Sequence, residues 1–150
     1  MKALTRRSCL AAGAMGLLPE LAEAQLSAQK RQLPMSTIFK GQDKFQSIVK
    51  KAIAEGWREV PIGERIIKFA RELHGTPYEN FTLEIDDHIE SPSINLIGLD
   101  CWTFFETSLG MARMIATPKD SYAPEDLLRE VEFTRYRGGK CTGNYLERIH

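Results

Sequence analysis

Cysteine and histidine are both scarce in this chain, at three residues each, and neither sign of charge is in excess. Twenty basic residues face twenty acidic ones, so nothing in the overall charge draws the protein to nucleic acid or anionic lipid. No basic–aromatic stripe and no Gly-rich phosphate loop occur, so no nucleic-acid partner is expected. The histidines stand singly at 74, 88 and 150, without the Cys–His spacing of a zinc site. No metal and no other cofactor are expected. No apolar run reaches about 18 residues, which argues against a transmembrane helix. There are no internal repeats. The 150 residues, 43% hydrophobic and 27% charged, have the make-up of one folded domain.

The first 24 residues read as a leader. Lys2, Arg6 and Arg7 form a basic start, Cys9 to Leu18 a short apolar stretch, and Ala22-Glu23-Ala24 an A-x-A cleavage site. The Arg6-Arg7 pair before a mild Ala/Gly-rich stretch suggests the twin-arginine route. The protein is therefore expected to be exported, to a periplasmic or extracellular space. Cleavage would leave two cysteines, Cys101 and Cys141, too few for a disulfide-stapled scaffold. They could pair in an oxidising space, but their 40-residue separation lacks the C-x-x-C of redox motifs.

Residues 25–40 are polar and aperiodic and read as a linker, with the domain at 41–150. Phe45, Ile48, Val49, Ala52 and Ile53 share one helical face. A second helix carries Ile62, Ile66, Phe69, Ala70 and Leu73 and stops at His74-Gly75 before Pro77. Between Phe81 and Leu99 the apolar residues alternate with polar ones, which predicts two short strands or extended segments around Ser91-Pro92-Ser93. Asp100 opens a central helix to about Ala116, apolar nearly all round and so expected to be buried. Pro124 starts a last helix with Leu127, Leu128 and Val131 inward. The Gly-rich end from Phe133 reads as loop.

Cys101 can be read in two ways. A free cysteine among aromatics is commonly a small core hydrophobe. Here, however, Asp100 is a good N-cap, which puts Cys101 in the first turn of the helix. Unpaired N–H groups and the helix dipole favour an anion there, and the anion is the form in which a thiol attacks.

The flanking residues favour attack. His74-Gly75-Thr76-Pro77-Tyr78 after an amphipathic helix, followed by Leu99-Asp100-Cys101 opening the next, resembles the NlpC-type papain-like cell-wall peptidases. Thr82-Leu83-Glu84, Ile94-Asn95-Leu96, Trp102 to Glu106, Arg135 to Gly139 and Asn144 to His150 extend the resemblance to the N-acetylmuramoyl-L-alanine amidase-like branch of exported bacterial proteins. The resemblance spans about residues 60 to 150. It implies an α+β fold, represented here mainly by its helical half. It also implies a cysteine hydrolase acting on peptidoglycan or muropeptides, with Cys101 as nucleophile. Tyr78, Arg135, Arg137 and His150 would contact substrate. Both the sugar–peptide amide and bonds within the stem peptide fit such a protein. Glu106 lies five positions past Cys101 and is expected to have a structural hydrogen bond or salt bridge.

The sequence departs from the family in one respect. The family takes its catalytic histidine from a later strand with a His-hydrophobic-Gly-like motif, and no such motif occurs here. The domain is therefore expected to be C-terminally truncated, with its sheet largely missing, and inactive alone. Its exposed apolar surface would favour self-association. The competing reading is a small exported helical binding or adaptor module with Cys101 in its core. If the leader is real, the exported protein begins at Gln25. Replacing Arg6 and Arg7 together by lysine should then hold the precursor in the cytoplasm, as fractionation and intact mass would show.

Overall fold

The computed structural model describes residues 33–149. The leader and His150 lie outside them. The described part is mostly helical with one small two-stranded sheet, an α+β arrangement. In order come α1 (Met35–Ile38), β1 (Phe39–Lys40), α2 (Gln42–Ala54), a 3-10 turn at Trp57–Glu59 and α3 (Ile62–Leu73). Then follow β2 (Ile94–Asn95), α4 (Cys101–Met114), α5 (Pro124–Arg135) and two further 3-10 turns. The stretch read as linker is described from Leu33 on. There it carries α1 and β1, with Phe39 in the core.

Each helix forms where one apolar face can be buried. In α2, Phe45, Ile48, Val49 and Ala52 are buried, at the spacing read from the sequence. Gly41 begins this helix at φ 87, and a Cβ there would come within 2.9 Å of Leu96 Cβ. Only glycine satisfies both the left-handed turn and the close approach. In α3, Arg65, Phe69 and Leu73 point inward at four-residue steps. Phe69 meets Trp57 edge-on at 5.0 Å. Burying each such side chain stabilises by about 1.5–3 kcal/mol.

The central helix α4 packs against both α3 and α5. Gly110 allows the close approach to α5, since a Cβ there would lie 3.1 Å from Leu127 Cδ1. The expectation of an apolar, wholly buried α4 needs correction. Phe104 and Phe105 are exposed, whereas Glu106, Thr107 and Ser108 are buried. Polar partners select the buried face. Glu106 is 0% exposed and receives Arg135 of α5, itself 1% exposed. Arg135 Nη2 donates to Glu106 Oε2 at 2.7 Å, and Nε lies 3.2 Å from both carboxylate oxygens. The remaining donors reach Ser93 Oγ at 3.3 Å and Ser93 O at 2.9 Å.

The alternating segment also differs from expectation. Only Ile94–Asn95 is a strand, and it pairs in parallel with Phe39–Lys40. The first half, around Phe81, Leu83 and Ile85, is a set of turns. Phe81 sits at φ 59 with its ring 78% exposed, a left-handed conformation that interrupts a strand. Alternation records a possible half-buried strand, but a strand also needs a partner edge. The last helix runs on through Arg135, past the point where loop was expected. The chain after it is tied back by Arg148, whose guanidinium grips both Glu90 oxygens at 2.8 Å. The Tyr136 hydroxyl also donates to Glu90. Burial and that bond push the Tyr136 phenol far above its ordinary value.

Asp100 caps α4. Its Oδ1 accepts from the Thr103 N–H at 2.7 Å, and the Thr103 hydroxyl accepts from the Asp100 N–H at 3.0 Å. This reciprocal pair is a capping box. Burial opposes the charged carboxylate, but bonds from Thr103 and Thr82 outweigh it and lower the Asp100 pKa below its ordinary 3.8.

Two outcomes follow from these contacts. Glu106→Ala should strand a buried guanidinium and cost about 3–5 kcal/mol, whereas the double variant Glu106→Leu/Arg135→Met should recover most of the loss. Urea midpoints of the two proteins check this. The depressed Asp100 pKa gives stability that is fully present above the unfolded value and is lost as pH falls through the folded one. Asp100→Asn, which keeps a capping oxygen, should therefore flatten the acid side of the melting-temperature profile below about pH 4.

Candidate active site

The thiol of Cys101 occupies the first residue of α4 and is exposed. This corrects the reading of Cys101 as a core hydrophobe. The buried side of the same turn is polar instead. Thr103 is buried, and its hydroxyl lies 2.8 Å from that of Thr82, which also donates to Asp100 Oδ2 at 2.9 Å. The orientation of the thiol thus follows from a capped helix start whose inner face is filled by hydroxyls and a carboxylate.

The chain entering this turn is held just as firmly. The Glu79 N–H donates to Leu99 O at 3.1 Å, and the Leu99 N–H donates to Pro77 O at 3.1 Å. Tyr78 and Leu99 are therefore paired in a parallel bridge, which sets Tyr78 beside the residue two before Cys101. The Tyr78 side chain is 69% exposed. Asn95 Oδ1 accepts from the N–H groups of Ile97 and Gly98, and its amide donates to Glu79 Oε2 at 2.9 Å. A Cβ on Gly98 would collide with the Glu79 side chain, so glycine at 98 lets Glu79 pack there. Behind it, Lys44 Nζ donates to Thr76 Oγ1 at 2.6 Å and Leu96 O at 3.1 Å. Burial lowers the Lys44 pKa.

Of the residues named from the sequence, Tyr78 is brought by its backbone bridge to Leu99, two residues before Cys101. Arg135 does not belong to this site. Its guanidinium is buried and committed to Glu106 and Ser93, so its expected role as a substrate contact gives way to a structural one. Arg137 is exposed in the turn after α5. His150 lies outside the described residues. His74 caps the exposed end of α3, and His88 is exposed in the 86–89 turn, where its N–H meets Asp86 Oδ1. No hydrogen bond joins either histidine to the thiol. Among the described residues Cys101 and Cys141 are both free. Among the described residues no cluster of His, Cys, Asp or Glu could hold a metal ion, and no helix is long and apolar enough to cross a membrane.

Sequence reasoning missed three residues of the site. Thr82 and Asn95 are visible in the sequence only as members of motifs, and Glu79 belongs to none of them. Nothing in their spacing shows that Thr82 reaches 18 residues forward to the cap, or that Glu79 covers Gly98.

The comparisons agree with this architecture. Two crystal structures of an N-acetylmuramoyl-L-alanine amidase from Bacteroides uniformis ATCC 8492, at 1.07 and 1.15 Å resolution, are similar to the chain. They share 30% and 27% sequence identity with it, each at a TM-score of 0.51. The alignment covers 59% of this chain and 35% of theirs, so the chain spans about a third of the solved amidase it matches. No curated protein matches. The model of the AmiA-like family, described as N-acetylmuramoyl-L-alanine amidase-like, matches residues 68–150, which include α4 and its capped cysteine. By that match over more than half its length, the chain belongs to the N-acetylmuramoyl-L-alanine amidase-like family.

Proposed function

We propose that this protein is an exported peptidoglycan amide hydrolase of the papain-like NlpC type, with Cys101 as its nucleophile. The observation that carries the reading is an exposed thiol on the first turn of a capped helix, inside the segment matched by the amidase-like family. The amide that gives the solved amidases their name, between N-acetylmuramic acid and L-alanine, is the proposed target.

The chemistry runs in two steps. A histidine takes the thiol proton as the Cys101 sulfur attacks the amide carbonyl, and the carbonyl electrons move to oxygen. The helix-start N–H groups can receive that negative charge. Collapse expels the amine, which takes a proton from the histidine, and leaves a thioester on Cys101. Water then releases the acid and restores the thiol. The histidine belongs to the family's later His-hydrophobic-Gly-like motif, which these 150 residues do not contain. The proposal therefore gives Cys101 the acyl-accepting role and expects no turnover from these residues alone.

Tyr78 and Arg137 are the proposed substrate contacts, Tyr78 by its exposed side chain on the segment bridged to Leu99 and Arg137 by a charge that suits a carboxylate. His150 is a further candidate. Exposed Phe104 and Phe105, on the helix face that carries Cys101, support the expectation of self-association with a second copy.

A muropeptide bearing a chloromethyl ketone at the scissile position tests the nucleophile. One adduct should form, on Cys101, and Cys101→Ala should abolish it. Absence of that adduct, with Cys101 still labelled readily by iodoacetamide, would sink the substrate assignment. Tyr78→Ala and Arg137→Ala should each weaken muropeptide binding by about two- to tenfold in calorimetry.

A further inference from the structure

Thr82 has no part in the chemistry above, although it heads the Thr82-Leu83-Glu84 stretch that stands out in the sequence. Its side chain is buried, while its neighbour Phe81 is exposed. Thr82 Oγ1 lies 2.9 Å from Asp100 Oδ2 and 2.8 Å from Thr103 Oγ1. Each hydroxyl has one proton to give. Thr103 Oγ1 also lies 2.9 Å from Asp100 Oδ1, so its single proton goes either there or to Thr82 Oγ1. The Asp100 N–H donates to Thr103 Oγ1, and the Thr82 hydroxyl donates to Asp100 Oδ2. The result is a hydrogen-bonded cluster around the first turn of α4. Thr82 alone enters it from outside the helix start, 18 residues before Asp100.

The backbone next to Thr82 carries strain. Phe81 at φ 59 is a bulky residue in a left-handed conformation, and its exposed ring gains little packing in return. What the turn provides is Thr82 facing inward toward the cap. The geometry points to Thr82 as a positioning residue for the Cys101 thiol, a role that rests on the reading of Cys101 as nucleophile. The capping box fixes Asp100 only relative to its own helix. Thr82 fixes that cap relative to the loop that follows Tyr78. Without the Thr82 hydroxyl, Asp100 Oδ2 loses a charge-assisted bond and the first turn frays. The thiol and the N–H groups beside it then lose their fixed orientation.

The test is the rate of Cys101 alkylation by iodoacetamide at pH 7, in a chain carrying Cys9→Ala and Cys141→Ala. The reference is the same chain unfolded in urea, and melting curves establish that each variant is folded. The parent should react faster than its unfolded reference. Thr82→Val, which keeps the shape and removes the hydroxyl, should lower the rate about tenfold. Thr82→Ser, which keeps the hydroxyl, should stay within about twofold of the parent. An unchanged rate in Thr82→Val overturns the positioning role, and so does an equal fall in Thr82→Ser. If Thr82→Val does not fold, Asp100→Ser repeats the test from the other end. Its single hydroxyl oxygen still caps the Thr103 N–H but leaves no second acceptor for Thr82, so the same fall is expected and an unchanged rate overturns the role. A parent no faster than its unfolded reference defeats the nucleophile reading itself, before any Thr82 variant is considered.

Discussion

The buried pair of Glu106 and Arg135 organises this fold. A carboxylate and a guanidinium taken wholly out of water are tolerated only when nearly every donor and acceptor is matched. Here they are matched by each other and by Ser93, which immediately precedes β2. One cluster therefore joins α4, α5 and the sheet. It also sets the rotation of α4. With Glu106 inward, Thr103 and Gly110 lie on the same side, and Cys101, Phe104 and Phe105 face outward at the start of the helix. Ser108 shares the side of Cys101 two turns on and is buried there, so the exposure of the thiol depends on its place at the helix start as well as on the ion pair.

Polar side chains bind the rest of the body in a similar way. Arg65, buried on α3, donates to the carbonyls of Trp57, Arg58 and Val60 and to Ala112 of α4 at 2.8 to 3.2 Å. It satisfies three carbonyls of a tight connection and ties that connection to the central helix. Lys44 does the same for the turn after α3 and the end of β2. Glu90 collects Tyr136 and Arg148 at the far end of the chain. The apolar core supplies most of the driving force. These contacts set how the helices are rotated and where the loops are held, and the loops carry the site.

That division explains how function is distributed here. A reactive thiol needs a rigid helix start, an exposed outer face and a firmly held approach. The capping box of Asp100 and Thr103 supplies the first, the rotation of α4 the second, and the Tyr78–Leu99 bridge the third. Asp100 and Thr103 provide rigidity without themselves needing to touch a substrate.

The sequence by itself determined the helices, the cap and the family. Helical periodicity, Pro124 at a helix start and Asp100 before Cys101 are local signals, because propensity and capping act within one or two turns. The order of short motifs carried the family resemblance, and the match to residues 68–150 agrees with it. The tertiary structure alone decided three other things. It placed Arg135 inside the molecule, because a guanidinium goes where its partner carboxylate lies, and that partner is 29 residues away. It turned the segment around Phe81 into a strained loop, because no strand edge was there to receive it. It also exposed Cys101, because an almost uniformly apolar helix does not state which face it will bury until its few polar residues find their partners.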